Sequence, residues 1–515
     1  MPSLATSARG DPSALSLTAA LPWLLGFILV FAPWFRAGTL PIALLVLEAS
    51  ALAALALALW KPAAGAFQIR DALVISLLLL FPLLYLIPLP GLPLDWLPGR
   101  EAYAASLDLI ELERPGPSVT LSLYPLATES AWLTLLLPVA VFVATRTLDH
   151  RRLYRLILLL IAIAAAQAIL GLAQFGRGAD SPLYFGMTHA SFGNALGTYP
   201  NRNHLAGLLE MVLPITLALY LYSLGRIDRQ VFQGWRGRIS FFSTIWGNRA
   251  FVFGALALLL LVGVVFTRSR TGIALTMIGI LLATLAFGRR IGGDNVYGPA
   301  GTVVAFAVGI GFTIGLAPVW DRFAEQDPME DARWTVFSAT MDGIGSFFPV
   351  GSGPGTYEAV MHAFQPVELG HAIINHAHND YLEWLFEGGA FAAVLIVVLL
   401  TLYFIQWGRV WTRAAWSRFR FVQVGAGIGL LLLLLHELTD YNLHIPANMV
   451  FFAFLAGVFS SDPAQEEASR SRRQRKRRTG VLQPATGASD PTTQWLRPAP
   501  DQIRNPFSNP EKTAD

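Results

Sequence analysis

The chain has 515 residues, of which 54% are hydrophobic and only 14% are charged, and its mean hydropathy is +0.51. Soluble globular proteins carry about 25% charged residues. Because the apolar residues here form long runs rather than periodic stripes, the composition excludes a water-soluble enzyme and predicts a polytopic membrane protein. Cysteine is absent, which excludes disulfides, thiolate nucleophiles, iron–sulfur clusters and cysteine zinc sites. The formal net charge of +3 does not by itself indicate any class of partner.

Apolar stretches of roughly 16–22 residues predict an all-α polytopic membrane protein with about twelve transmembrane helices. The polar N-terminus shows no small-residue cleavage site, so we expect the first span to remain as a signal anchor. In chain order, the predicted spans are Leu17–Phe35, Leu40–Trp60, Asp71–Leu89, Ser130–Thr145, Leu153–Gln174, Asn203–Leu224, Ala250–Thr267, Thr271–Phe287, Pro299–Val319, Ala390–Trp407, Phe421–Leu438 and Ile445–Ser460.

The distribution of the 37 Lys and Arg residues predicts the orientation of these spans. If both termini are cytoplasmic, most cations fall in the cytoplasmic loops and the C-terminal tail, and only Arg155, near the start of the fifth span, falls within a span. The sequence therefore predicts a multi-pass membrane protein with both termini in the cytoplasm. The cations left on the outer face are Arg36, Arg100, Arg114, Arg177, Arg202, Arg268, Arg270, Arg322 and Arg333.

Three regions follow from this arrangement. Residues 1–16 form a cytoplasmic N-terminus, residues 17–460 the transmembrane domain, and residues 461–515 a disordered basic cytoplasmic tail rich in Pro, Ser and Thr. The basic run Arg472–Arg478 suits anionic lipid headgroups, or is simply a stop-transfer flank. No folded domain accompanies this run, so nucleic acid is not expected as a partner. Between the ninth and tenth spans, residues 320–389 form one long outer loop, which we expect to carry the active site.

Arginines at the outer membrane boundary are the first candidates for ligand binding. Arg268 and Arg270 lie in a tight turn between two apolar spans, where positive charge is costly. Arg202 opens the sixth span, and Arg333 lies in the long outer loop. Interfacial arginines also snorkel or bind lipid phosphate. An anionic ligand at membrane depth explains the pair better, because guanidinium groups match phosphate oxygens bidentately.

Histidines of the outer loop are candidates for acid–base chemistry. His376 and His378, near Asp380 and Glu383, suggest either a metal site or a general base, and a helix cap is the simplest alternative. We favour the general base and predict no metal and no cofactor. The glycine-rich turn Pro349–Tyr357 either presents backbone N–H groups to an anion or is only a bend.

The last outer segment, residues 436–448, places His436, Glu437 and Asp440 near a membrane boundary. Buried polar groups there need partners. These side chains either line the same cavity or only hold helices together.

Together these motifs resemble the O-antigen ligase and polysaccharide polymerase superfamily. The motifs are Asn-x-Asn-His at a helix start, Thr-x-Ser-Arg-x-Gly between two spans, and Arg-Trp followed by Pro-x-Gly-x-Gly-x-Gly. They continue with His-Asn-x-Tyr-Leu-Glu and Asp-x-Asn-Leu-x-Ile-Pro-Ala-Asn. They occur in this order over Asn201–Asn448. The Ile-Pro-Ala-Asn ending leans toward the exopolysaccharide polymerase branch.

The resemblance implies a GT-C-like, all-helical transferase of the bacterial inner membrane. Such a transferase uses an undecaprenyl-pyrophosphate-linked glycan at the periplasmic face. Arg270 and Arg333 match the family arginines that hold the pyrophosphate, and His378 matches the histidine that activates the acceptor hydroxyl. Arg268 and His376 lie outside the core pattern. We also expect Arg202 to contact the pyrophosphate. The predicted supporting residues are Asn203, Asn379, Tyr381, Glu383 and Asp440.

Implied partners are the lipid-linked donor, a glycan or lipid A-core acceptor, the bilayer and chain-length regulators or other polysaccharide assembly proteins. A pyrophosphate leaving group is already activated, so arginines can stabilise it without a metal, and in-line attack predicts inversion. The alternative is a twelve-span transporter or flippase for a glycan or other anionic substrate. Against that alternative, the longest loop lies outside and no internal repeat is visible.

Overall fold

The computed structural model describes residues 12–60, 69–90, 96–101, 103, 105, 118–185, 193–227, 243–288, 328–370, 373–412 and 416–461. These residues are almost entirely helical. The predicted ninth span, Pro299–Val319, and the tail beyond residue 461 lie outside the described residues. The helices are α1 (Pro12–Phe31), α2 (Trp34–Ala37), α3 (Pro41–Trp60), α4 (Ile69–Leu86), α5 (Pro125–Arg146), α6 (His150–Arg177), α7 (Arg202–Leu224), α8 (Ile245–Thr267), α9 (Arg270–Gly288), α10 (Pro328–Phe347), α11 (Tyr357–Met361), α12 (Asp380–Thr412), α13 (Arg418–His436) and α14 (Pro446–Ser460).

Within these ranges, nine helices are long and apolar enough to cross a membrane: α3 to α9, α12 and α13. The apolar part of α1, Ala19–Phe31, and α14 are shorter. Short 3₁₀ turns lie at Pro182–Tyr184, His362–Phe364, Val367–Leu369 and Asn442–His444. A two-residue strand β1 (Leu89–Pro90) pairs antiparallel with β2 (Ser118–Val119). The prediction of an all-α polytopic membrane protein is confirmed.

Helix α7 is the central element, because it packs against α8, α9 and α13 and is buried along nearly all of its length. Its contact with α13 depends on glycine. A Cβ at Gly425 would lie 2.8 Å from the Cα of Ile215, and one at Gly429 would meet the Met211 carbonyl. Small residues let helix backbones approach closely, which is how helices associate where lipid removes the hydrophobic driving force. The same close packing fixes the start of α7 beside the end of α13.

The helix ends collect into two groups. At one end of the bundle, the start of α4 meets the last residues of α5 and α14, because Arg146 donates to Asp71 Oδ2 at 3.0 Å and to the Ser460 carbonyl at 2.8 Å. At the other end, the starts of α7, α9, α12 and α14 meet the end of α13. Because consecutive predicted spans cross the membrane in opposite directions, these helix ends are expected to lie together in this way. Which group faces the periplasm stays a prediction.

Residues 328–370 and 373–389, the described parts of the predicted outer loop, fold around a small apolar core of their own. This core is separate from the main core of the bundle and includes Val336, Phe347, Tyr357 and Phe386. The tenth span was predicted to start at Ala390, but α12 begins at Asp380. The helix breaks at Gly389, with φ 49°, where a Cβ would collide with the Pro349 carbonyl. The loop therefore continues into the transmembrane helix through a kink.

Removing the carboxylate of the buried Asp71–Arg146 ion pair, which lies where α4, α5 and α14 meet, should destabilise the protein strongly. In Asp71→Ala, the guanidinium of Arg146, whose side chain is 2% exposed, loses its carboxylate partner. We expect a loss of about 3–5 kcal/mol, measured as a lower melting temperature in detergent. The matched control is Arg152→Ala, whose partner Asp149 is exposed. Its melting temperature should stay close to that of the unmodified chain. An equal shift for both variants would contradict the argument.

Candidate functional site

One buried carboxylate gathers the polar residues at the end of the bundle where α7, α12 and α13 meet. The side chain of Asp440 is fully buried, and its Oδ2 accepts a hydrogen bond from Asn203 Nδ2 at 2.6 Å. Arg333 Nη2 lies 3.8 Å from the same oxygen. Its Oδ1 lies 3.5 Å from His378 Nδ1 and 3.7 Å from His204 Nε2. Three segments distant in sequence therefore converge on one side chain.

The turn between α13 and α14 positions this carboxylate. The Glu437 carboxylate accepts a hydrogen bond from the Asn442 backbone N–H at 2.8 Å, which closes the turn. Asn448 then donates to Asn442 Oδ1 at 3.0 Å and to the carbonyl of His204 at 2.9 Å, which ties the turn to α7. Because these hydrogen bonds join the turn to itself and to α7, they hold Asp440 at the centre.

The charge of Asp440 is maintained by its neighbours. Burial would raise the pKa of Asp440, but the contacts with His204 and His378 and the charge of Arg333 outweigh burial and hold the pKa well below 3.8. A carboxylate with a depressed pKa stabilises the fold above its unfolded pKa, and this contribution is lost as the pH falls through the folded value. Asp440 is therefore an anion throughout the neutral range.

His378 lies two residues before the start of α12 and has a left-handed backbone (φ 54°). The helix cap is the neighbouring Asn379, whose Oδ1 accepts from the N–H groups of Tyr381 and Leu382 at 3.0 and 3.1 Å. The alternative that His378 caps the helix is thus not what the structure shows. Left-handed non-glycine residues are uncommon and concentrate at functional sites. Tyr381 donates to the Leu434 carbonyl at 2.8 Å and fastens α12 to α13.

Of the four predicted arginines, Arg333 forms the ion pair with Asp440 described above, and the other three are located by the helices that carry or border them. Arg270 is the first residue of α9, and the next residue, Thr271, shares a hydrogen bond of 3.1 Å with Thr439, the neighbour of Asp440. Arg202 opens α7 immediately before Asn203. Both therefore lie on segments that border the cluster. Arg268 instead places its guanidinium 5.3 Å from the ring centre of Phe175 on α6.

The two histidines of the outer loop separate into different clusters. His376 Nδ1 lies 2.9 Å from Glu383 Oε1, and the second oxygen of Glu383 accepts from the Ala377 N–H at 2.7 Å. His444 contacts two carboxylates. Its Nε2 lies 3.3 Å from the same Glu383 oxygen, and its Nδ1 lies 3.0 Å from Asp380 Oδ1. Burial alone would lower the pKa of His444, but Glu383 and Asp380 raise it to about 10. This second cluster lies next to the Asp440 cluster, since the ring of Tyr441 contacts both His376 and His378.

The glycine-rich turn is a packed bend rather than an open anion cradle. Gly353 donates its N–H to the Glu387 carbonyl at 2.8 Å, and Tyr357 donates to the Glu387 carboxylate at 2.9 Å. The carboxyl group that the Tyr357 amide binds is therefore a side chain of α12, and the Gly353 amide binds the backbone of the same residue. Gly351, Gly353 and Gly355 all have positive φ, between 77° and 117°.

Sequence reasoning assigned no role to several residues that the fold makes important. His204, beside Asp440, is 1% exposed. The fully buried pair Glu210–His436 joins α7 and α13 at 2.9 Å. Arg100 is fully buried and donates to the Gly351 carbonyl at 2.9 Å, which holds the glycine turn. His204 and His436 lay in segments already singled out, whereas nothing near Arg100 distinguished it from the other outer arginines.

The family described as O-Antigen ligase matches residues 255–397, a stretch that includes Arg268, Arg270, Arg333 and His378. Residues 255–397 are therefore similar to this family. The resemblance to the O-antigen ligase and polymerase superfamily is thereby confirmed. At the family level, the match supports glycan transfer of the O-antigen ligase or polymerase type by a multi-pass protein of the bacterial inner membrane. A comparison with curated proteins found no match.

Adding a methyl group at Gly353, in the glycine-rich turn, should destabilise the protein. Gly353→Ala forces φ 117° on an L-residue and brings a Cβ within 2.9 Å of the backbone of Ser122. We expect a loss of about 1–3 kcal/mol, measured by thermal unfolding in detergent. Gly345, inside α10, has open space around it and is the matched control. Gly345→Ala should leave the melting temperature unchanged or raise it slightly, and a comparable loss at both positions would contradict the argument.

Proposed function

We propose that this chain transfers or polymerises an undecaprenyl-pyrophosphate-linked glycan onto a sugar hydroxyl at the periplasmic face of the inner membrane. It would act as an exopolysaccharide or O-antigen polymerase or as an O-antigen ligase, with both termini cytoplasmic. The observation that carries the proposal is the convergence of a histidine and an arginine, His378 and Arg333, on the buried anion Asp440. This arrangement supplies a base for the acceptor beside a cation for the leaving group.

His378 is the proposed general base. Its Nδ1 faces Asp440 Oδ1 at 3.5 Å, which leaves Nε2 to accept the proton of the acceptor hydroxyl. The hydroxyl oxygen attacks the anomeric carbon, the new C–O bond forms, and the bond from that carbon to the pyrophosphate oxygen breaks. The proton ends on His378, where the carboxylate stabilises the imidazolium, as in other histidine–aspartate pairs. Attack opposite the leaving group inverts the anomeric configuration.

The leaving group is the lipid pyrophosphate, on which negative charge grows as the bond breaks. Arg333 keeps about one-fifth of its side chain exposed and touches Asp440 only at 3.8 Å, so its other donors can turn toward phosphate oxygens. Arg270 and Arg202 begin helices that border the same cluster. Charge-assisted hydrogen bonds from guanidinium groups stabilise this charge without a metal ion. Arg268, stacked toward Phe175, would contact a more peripheral part of the donor.

The supporting residues hold this machinery in place. Asn203 fixes Asp440 Oδ2, Asn379 caps α12 beside His378, and Tyr381 fastens α12 to α13. Glu383 holds the segment that leads to His378 through the Ala377 N–H. Further partners would be a glycan or lipid A-core acceptor, the surrounding lipid, and chain-length regulators or other polysaccharide assembly proteins.

Removing the base should abolish most transfer. With purified protein and a lipid-linked donor, His378→Ala should slow product formation by about 10²–10⁴-fold, while the melting temperature changes little, because the side chain is a quarter exposed. The control is His362→Ala, an exposed histidine of the same outer region. If His378→Ala kept full activity on the lipid-linked donor, the proposed function would fail.

The loss of transfer rate should be larger for an arginine that borders the Asp440 cluster than for one that lies further from it. Arg270→Ala should lower the transfer rate by about 10²–10³-fold, because it removes one donor that stabilises the leaving group. Arg268→Ala should lower it by less than about tenfold, because this side chain is engaged with Phe175. Initial rates with the same lipid-linked donor test both. Equal losses would mean that both guanidinium groups reach the pyrophosphate.

A further inference from the structure

The second cluster, formed by His376, Glu383 and His444, has a donor set that the proposed reaction does not use. Two imidazole nitrogens and one carboxylate oxygen lie within 4.8 Å of one another. We propose that these three side chains bind one divalent cation of the zinc class, which fastens the segment carrying His378 to the turn that carries Asp440.

The distances between the donor atoms are close to those that a tetrahedral ion needs. Bonds of about 2.0–2.2 Å place neighbouring ligand atoms roughly 3.3 Å apart. Glu383 Oε1 lies 2.9 Å from His376 Nδ1 and 3.3 Å from His444 Nε2. An ion therefore requires rotation of side chains but no movement of the backbone. Two histidines and one glutamate are also a common zinc ligand set that leaves a fourth position for water.

The groups around the donors are those expected around a metal site. A ligating histidine commonly donates its other ring N–H to a carboxylate, which fixes the tautomer. If His444 binds through Nε2, its Nδ1 donates to Asp380 Oδ1 at 3.0 Å. Glu383 binds through Oε1 while its Oε2 is held by the Ala377 N–H. Two of the three proposed ligands thus have their orientation fixed by a further hydrogen bond.

Charge and access also favour a cation. Glu383 and Asp380, in the first turn of α12, are carboxylic acids that are 2% and 4% exposed, and the buried Glu437 lies next to them on the turn after α13. A divalent ion between His376, Glu383 and His444 would offset part of the negative charge that Glu383 and Asp380 bring into this buried region. The side chains of His376 and His444 are 27% and 28% exposed, which provides a route of entry.

The ion would act by position and not in the transfer step. It would bridge α12 and the turn after α13 on the far side of Tyr441, whose ring stacks on His376 at 4.3 Å and meets the His378 ring edge-on at 4.9 Å. The pyrophosphate would still be held by arginines. Ion binding requires no donor substrate, so it can be tested even if the proposed function fails.

The test is a titration of the full chain, purified without a histidine tag and treated with a chelator, with Zn²⁺ and with Co²⁺. We expect one equivalent of each ion to bind, the visible absorption of tetrahedral Co²⁺, and a higher melting temperature with Zn²⁺. His376→Ala and His444→Ala should each weaken binding by at least about tenfold, and Asp380→Asn by about 10–100-fold. His378→Ala is the matched control, because this histidine lies two residues from His376 but outside the donor set.

Binding of equal strength by His376→Ala, His444→Ala and the unmodified chain would overturn the proposal. So would the lack of a tetrahedral Co²⁺ spectrum in the unmodified chain, a result that does not depend on whether any variant folds. Mg²⁺ and Ca²⁺ prefer oxygen ligands and should not compete at similar concentrations. Competition by these ions would show that exposed carboxylates bind the metal instead.

Discussion

The arrangement of the end of the bundle where α7, α12 and α13 meet depends on one anion that is removed from water. A lone buried carboxylate is expensive, and it is tolerated when charge and hydrogen bonds compensate it. Asp440 obtains this compensation from Asn203, His204, Arg333 and His378, which come from three separate segments. The need to satisfy a single side chain therefore draws α7, α10 and the start of α12 to the turn between α13 and α14. The proposed base and the proposed leaving-group cation become neighbours as a result.

The fold was largely predictable, because the physical signals that set it are strong. Long apolar runs specify the spans, and the asymmetric placement of cations specifies their alternation. The starts of α3, α7 and α9 lie within a residue of the predicted positions. The start of α12 was misplaced by ten residues, because Asp380, Glu383 and Glu387 look like loop residues in sequence. They are accommodated in a helix because His444, His376 and the amide of Tyr357 bind them.

The composition of the site was predictable but its pairing was not. His376 and His378 look like one unit in sequence, yet the left-handed backbone at His378 turns the chain between them and sends each ring to a different carboxylate. His444 lies 68 positions after His376 in the chain but contacts the same carboxylate, Glu383. Local sequence contains no signal for such a contact. Arg268 and Arg270 likewise seemed equivalent, but the end of α8 directs the former toward Phe175.

The central position of α7 has a consequence for how the chain is assembled. Its neighbours α8, α9 and α13 all follow it in the sequence, and the partner of Glu210 is His436, 226 residues later. During synthesis, α7 must therefore enter the bilayer with an ionisable side chain in its interior that has no partner yet. Such a group is costly in lipid until it is paired. The helix that is the most buried of the described membrane helices thus obtains the partner of its buried carboxyl group only when α13 has been made.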